Sequence, residues 1–443
     1  MNSRATLDLL RRYESRNVTF LDPDGSWPIV WERAHGVHVR DADGRTYLDL
    51  TAAFGVANAG HANPRVVRAG QRQMATLLHA MGDVHPHALK AELAHELSRI
   101  TFGRWTRSKS NARSSGRKVS ATTAKTIFCN SGFEAVEAAL KTAMLATGRP
   151  GVIAFEGAYH GLGYGALATT HRPHFRDRFR PQLADFGHFV PYPQTGAQLR
   201  ETVAAIRREF RRRRVGAIIV EPIQGRGGIV VPPRGFLPLL RRLADQHGAL
   251  LVVDEILTGF GRTGRWFACE HAGVIPDVIC LGKALTGGFP LSACVGRAGL
   301  MDAAWPLSAG EAIHTSTFLG HPAGCAMALA QIGELRRLRL PERSARLGAL
   351  LGRLLSGFKV QSSKFKVSVR GLGLMAGIEL THADGSPASR EAQAAVKEML
   401  RRGFILLPEG PHGNIISVTP PLTITEAQLH RAVRELGRVL AQP

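Results

Sequence analysis

The sequence predicts an α/β protein: a large domain on a mostly parallel sheet with helices on both faces, and a smaller α+β domain formed by the two terminal segments. Three observations predict it. From about residue 125 onward, short apolar runs alternate with helical stretches, as expected of parallel strands buried on both faces. Residues 28–50 alternate apolar and polar positions around an Asp-Gly pair, the pattern of a hairpin with one face in water. Beyond about residue 333 the pattern becomes a helix–strand mixture.

Taken in order, Met1 to Ser15 lacks a continuous apolar run and carries Asp8 and Glu14, so it reads as a mature beginning rather than a secretory signal. The hairpin follows. Arg104 to Lys125 is Ser/Thr/Ala-rich, with seven basic residues and no acidic one; it reads as a surface insertion. Strands are expected at Lys125–Cys129, Val152–Phe155, Ala217–Val220, Leu250–Val253 and Val278–Leu281. After the first of these, Ser131 and Glu134 have the spacing of a capping box. Phe133, Val136, Leu140 and Met144 continue at helical spacing until Gly148 and Pro150 end the helix. An alternating segment at Leu372–Leu380 and a closing helix from Thr425 complete the chain. The expected division is 1–70 as the N-terminal part of the small domain, 71–332 as the large domain with the basic insertion at 104–125, and 333–443 as the C-terminal part of the small domain.

Composition narrows the function. The 443 residues are 44% apolar and 21% charged, which excludes wholesale disorder. No run of about 18 apolar residues suggests a membrane span. The 5 Cys form no CxxC pair, so neither a disulfide framework nor a zinc ribbon is indicated, and a reducing cytoplasm fits best. The net charge of +22 is concentrated in Arg104–Lys125 and in RREFRRRR at 207–214. Neither run carries an aromatic ladder or a nucleic-acid motif; a basic loop and a solvated helix end account for them, and nucleic acid is not the expected partner.

Three ionisable residues follow apolar strands almost immediately: Glu221 after AIIV, Asp254 after LLVV, and Lys283 after VICLG. Open parallel sheets bind ligands at the carboxyl ends of their strands, and charge placed there is costly unless paired or functional. Ser131-Gly132-Phe133 opens a helix after a fourth strand, presenting free N–H groups and the positive dipole end to a phosphate. An amine, a carboxylate and a phosphate anchor are the three things that pyridoxal 5′-phosphate needs: a lysine to hold its aldehyde, an acid to keep its ring nitrogen protonated, and a helix N-terminus for the phosphate.

The segments NSGFEAVEAALK (130–141), GAYHG (157–161), VEPIQGRGG (220–228), VVDEILTGFGRTG (252–264), LGKALTGGFP (281–290) and HTSTFLGHPAGC (314–325) resemble the class III pyridoxal-phosphate-dependent aminotransferases, of the ornithine, acetylornithine and 4-aminobutyrate type. The likeness runs from about Asp41 through PPLTIT (420–425), interrupted by the basic stretch. It implies the type I fold, with a seven-stranded sheet, and an obligate homodimer. It also implies that Lys283 is the Schiff-base lysine and proton shuttle, and that Asp254 pairs with the ring nitrogen. Gly132 and Phe133, with Ser131 alongside, would hold the phosphate. Tyr159 would stack on the ring, and Thr317 would reach the phosphate of the neighbouring subunit. Glu221 would lie on the substrate side, Arg370 would grip a substrate carboxylate, and Phe54 would stand at the substrate entrance.

Some positions depart from that pattern. Phe133 stands where relatives have Thr or Ala, and His321 where they commonly have Asn. Leu257 replaces a Gln that touches the cofactor's phenolic oxygen. Arg226 replaces the Glu that in ornithine-type relatives masks the substrate-binding arginine, which favours an acidic donor or a second carboxylate. The implied reaction transfers an amino group from an ω-amino acid or acetylornithine/4-aminobutyrate-like donor to 2-oxoglutarate or another 2-oxo acid. The alternative on the same scaffold is a decarboxylase, racemase or aminomutase. A scaffold binding RNA or anionic lipid is the rival of another class, and the intact Lys283/Asp254/Gly132 set speaks against it. Two further patterns carry little: GFGRTG (259–264) fits GxGxxG but does not open a helix after a strand, and His85 and His87 lack a third metal ligand.

Overall fold

The computed structural model describes residues 1–22, 25–111, 123–357 and 365–441. Near the N-terminus, β1 (Trp31–His35), β2 (His38–Asp41) and β3 (Thr46–Asp49) form an antiparallel meander. The expected hairpin is its second turn, where Asp41 Oδ1 accepts from the Arg45 amide at 2.8 Å and Gly44 takes φ +89°.

The large sheet contains β4 (Ala124–Cys129), β5 (Gly151–Phe155), β6 (Gly187–Val190), β7 (Val215–Val220), β8 (Leu250–Asp254), β9 (Val278–Leu281) and β10 (Ser292–Arg297), in the order β4-β10-β9-β8-β7-β5-β6. Only β10 runs against its neighbours. No apolar run marks β6 (GHFV) or β10 (SACVGR), whereas the other five strands lie where the sequence puts them. Alternation inside those strands divides the core in two. Leu251 and Val253 of β8 join Ile218 and Val220 of β7 on the face covered by helix Phe236–His247. Leu250, Val252, Ala217 and Ile219 face helix Gly132–Thr147 on the other side. Strands buried on both faces have no solvent side, which is why they read as continuous apolar runs.

Helix Gly132–Thr147 ends at Gly148 in the left-handed conformation, as expected. Its start differs. Ser131 is the N-cap residue, but its side chain makes no capping hydrogen bond; Glu134 Oε2 instead accepts from the Asn130 amide at 2.7 Å. The apolar stripe also differs at its end: Val136 and Leu140 are buried, but Met144 is 47% exposed, whereas its neighbours Thr142 and Ala143 are buried. The basic stretch is not an insertion from its first residue. Arg104 to Asn111 belongs to helix Phe102–Asn111, anchored by Trp105, whose indole N–H donates to Glu270 Oε1 at 2.8 Å, and by the Arg104–Glu270 ion pair. The remainder of that expectation, 112–122, lies outside the described residues. The second run is the exposed end of helix Gly196–Arg212, with Arg207, Arg208, Arg211 and Arg212 in solvent.

Toward the C-terminus come β11 (Lys366–Gly371), β12 (Ala376–Thr381), β13 (Phe404–Ile405), β14 (Leu407–Glu409) and β15 (Ile415–Val418). The alternation at Leu372–Leu380 is a hairpin turn plus β12 rather than a single strand. Leu372 N–H donates to Met375 O at 3.0 Å across the turn, and Gly373 takes φ +60° where a Cβ would lie 2.4 Å from the Thr263 backbone. β11, β12, β15 and β14 make a third sheet, and β13 pairs parallel with β3, joining the two ends of the chain. Thr425 caps the closing helix Glu426–Leu440 in a complete capping box with Gln428.

Candidate active site

The carboxyl ends of β4, β7, β8 and β9 open into one cleft of about 420 Å³. It is lined by Gly132 and Phe133 after β4, Glu221 after β7, Asp254 at the end of β8, and Lys283 two residues beyond β9. Tyr159 and His160 enter from the loop after β5, and Arg226, Ile256 and Leu257 complete the wall.

At the base, Asp254 is 5% exposed. His160 Nδ1 lies 2.8 Å from its Oδ2, and the Ile256 amide donates to Oδ1 at 3.0 Å. A carboxylate only accepts, so His160 holds its proton on Nδ1. One lone pair on each Asp254 oxygen remains for a donor in the cleft. Glu221 is held by two backbone donors, Tyr159 N–H at 2.9 Å and Gly225 N–H at 3.0 Å. Burial nevertheless raises its carboxyl to about 7, with Asp254 adding to the shift and His160 opposing it. Burial pushes the Lys283 ammonium below the usual lysine range, against the attraction of Asp254 and Glu221. Such a shift enlarges the fraction of free amine, the nucleophilic and basic form. The Lys283 backbone sits at φ +42°, a sparsely populated region for a side-chain-bearing residue.

At the other end, the first N–H groups of helix Gly132–Thr147 have no partner within the helix. The Ser131 hydroxyl is buried without a hydrogen bond, and a Cβ on Gly132 would stand 3.1 Å from Ile256 side-chain carbons. Unused donors in a cradle with no room for a side chain suit the phosphate of pyridoxal phosphate. Asp254, in the same cleft, suits its ring nitrogen, and the residues present therefore fit that group.

Other expected site residues lie elsewhere. Arg370 does not reach the cleft: its Nε donates to Gly228 O and Ile229 O at 3.0 Å, Nη2 to Gly228 O at 2.7 Å, and Nη1 pairs with Glu379 at 2.5 Å. These bonds occupy its fork, and it faces a separate cavity of about 310 Å³. Phe54 and Thr317 are exposed and do not line the cleft. Phe54 belongs to a run of left-handed residues, Ala52, Ala53 and Phe54, braced by Asp49, which accepts from Thr51 N–H and Oγ1–H at 2.7 and 2.6 Å. Sequence reasoning gave His160 no role; its only signal is a histidine within GAYHG at a strand end. It also gave none to Glu409, at the end of β14, whose carboxylate lies 3.4 Å from Arg226.

The family model for class III aminotransferases matches residues 21–440. The acetylornithine aminotransferase of Methanosarcina mazei is 36% identical over 409 residues, 92% of this chain and 91% of that protein. The 5-aminovalerate aminotransferase of Pseudomonas aeruginosa is 37% identical over 420 residues, 93% of each. Among solved structures, a PLP-bound amine transaminase from an uncultivated Pseudomonas species superposes with a TM-score of 0.83 at 28% identity, covering 97% of this chain and 98% of that one. The chain belongs to the class III aminotransferases, enzymes of the type I fold whose cofactor is pyridoxal 5′-phosphate.

Proposed function

We propose that this enzyme moves the amino group of an ω-amino acid or acetylornithine-like donor to 2-oxoglutarate or another 2-oxo acid, as a cytoplasmic homodimer. The observation that carries the reading is the shared cleft, in which Lys283 and the His160-braced Asp254 stand at adjacent strand ends. The 5-aminovalerate and acetylornithine relatives support a donor whose reacting amine is remote from its α-carboxylate.

Pyridoxal phosphate, when bound, supplies the electron sink that makes a C–H bond next to the donor nitrogen acidic. The protein's own groups do the rest. The Ser131 hydroxyl and the Gly132 and Phe133 amides would hold the phosphate, the Asp254 carboxylate, oriented by His160, would take the ring nitrogen, and Tyr159 would flank the ring. The Lys283 amine would hold the aldehyde carbon and would carry the proton between the donor carbon and that aldehyde carbon. Its lowered basicity suits both tasks near neutral pH. Ile256 and Leu257 keep that corner of the cleft apolar.

Thr317, exposed in this chain, is the residue we assign to a partner subunit's phosphate. Exposed apolar side chains at Leu78, Met81, Val84, Ile313 and Phe318 supply a face for that partner. We assign the exposed Phe54 to the substrate entrance, and pairing of β3 with β13 supports a small domain of 1–70 with 333–443 around 71–332. Five buried free thiols suit a reducing compartment; no helix among the described residues is long and apolar enough to cross a membrane. The test is an amine-donor panel with 2-oxoglutarate, read as glutamate formed. Turnover of ω-amino acids is expected; glutamate from none of the donors would overturn the reading.

A further inference from the structure

The rim of the cleft carries charges that the chemistry above does not use. Arg226 lines the cleft, and its guanidinium carbon lies 5.9 Å from the Tyr159 ring centroid. Tyr159 meets Phe175 edge-on at 5.5 Å, and Arg172 lies 5.3 Å over the Phe175 ring. The order Arg226, Tyr159, Phe175, Arg172 thus places two guanidiniums on a shared aromatic support, a setting that suits arginine better than lysine.

Their counter-charge is Glu409. It is 8% exposed, and the Gly410 amide donates to Arg226 O at 3.2 Å, tying the end of β14 to the loop after β7. The side-chain contact is loose. Arg226 Nη1 stands 3.5 Å from Oε1 and 3.4 Å from Oε2, and Glu409 Oε2 has no hydrogen bond of its own. A guanidinium–carboxylate fork closes to about 2.7–2.9 Å when both groups are free to align. Arg172 has no carboxylate partner among the described residues. Two cations therefore share one loosely held anion, and burial with mutual repulsion holds the Arg172 guanidinium below the usual arginine range.

We propose that Arg226 and Arg172 form the subsite for a substrate carboxylate distal to the reacting carbon, and that Glu409 is a resident counter-ion that the substrate carboxylate displaces from Arg226. This rests on the transaminase reading and assigns to these arginines the task that Arg370, committed to Glu379 and two carbonyls, does not perform in this structure. The fork then selects dicarboxylic 2-oxo acids over monocarboxylic ones of equal length.

The test compares 2-oxoglutarate with 2-oxopentanoate, which has the same five-carbon chain without the distal carboxylate, in holoenzyme and in R226Q, R172Q and E409Q. Losing a hydrogen bond to a charged group corresponds to about 10–100-fold. R226Q is expected to lower the ratio of kcat/KM for 2-oxoglutarate over 2-oxopentanoate by about that factor, and R172Q by a smaller one. E409Q is expected to raise the same ratio, because it removes the competing anion. Calorimetric titration of each holoenzyme with glutarate should weaken in the two arginine variants and tighten in E409Q. Unchanged ratios and glutarate affinities in both arginine variants, or a lower ratio in E409Q, would overturn the proposal. Absence of turnover with either acid would instead count against the transaminase reading, and the glutarate titration would still decide the subsite.

Discussion

The base and the rim of the cleft are built differently. At the base, Asp254, Glu221 and Lys283 stand on or directly beyond strands that are wholly buried, and backbone amides or His160 fix the carboxylates at 2.8–3.0 Å. At the rim, Arg226 and Glu409 come from a loop and from a short strand of another sheet, and they meet at 3.4 Å. Rigid elements hold groups to the tolerance that proton transfer requires. A loose ion pair between separate elements can exchange partners, as an enzyme with two successive substrates requires. On the proposed reading, the base sets the reaction type and the rim the choice of substrate.

Substitutions can break this contrast, and the largest effect is expected at Lys283. K283A should lower transamination by about 10⁴-fold or more, since it removes both the nucleophile and the proton carrier; single-turnover assay of the folded variant checks this. D254N should lower kcat by about 10²–10⁴-fold while the far-ultraviolet spectrum stays unchanged, because charge facing the ring nitrogen is lost without loss of volume. S131A should weaken cofactor affinity by about 10-fold, one hydrogen bond to a charged group, measured by equilibrium dialysis. R370Q should lower stability by about 1–3 kcal/mol by leaving Glu379 and the Gly228 carbonyl unpaired, with little change in selectivity between the two 2-oxo acids.

A subtler effect concerns pH. Glu221 titrates near 7 in the folded protein against 4.5 as its ordinary value. Between those values the folded state binds the extra proton, so this group makes stability fall as pH rises from about 4.5 to 7. E221Q should flatten that slope by up to about 1.4 kcal/mol per pH unit, read from urea unfolding of the apoprotein at several pH values. An unchanged slope would contradict the raised Glu221 value, because Glu255, also raised to about 7, contributes equally in both proteins.

The same contrast explains what the sequence revealed. Strands buried on both faces must be apolar throughout, so β7, β8 and β9 were legible, and so were the charges that interrupt them at their ends. β6 and β10 escaped because GHFV and SACVGR contain small and polar residues that pack only in the assembled sheet. The Ser131–Glu134 capping box failed because Glu134 bonds the Asn130 amide, leaving the Ser131 hydroxyl unused. His160 was hidden because a single histidine gains meaning only from the carboxylate beside it. For Arg370 the motif was legible, but its partners Glu379 and Gly228 were not, because the fold brings them to it. The Arg226–Glu409 pair joins residues 183 positions apart, a separation that no local pattern encodes.

The most direct measurement is to load the enzyme with pyridoxal phosphate, reduce it with borohydride and map the labelled peptide by mass spectrometry. A single phosphopyridoxyl group on Lys283, lost when excess amine donor is added before reduction, is the result expected. A label on another lysine, or none on a protein that binds the cofactor, would contradict the assignment of the cleft at the ends of β8 and β9.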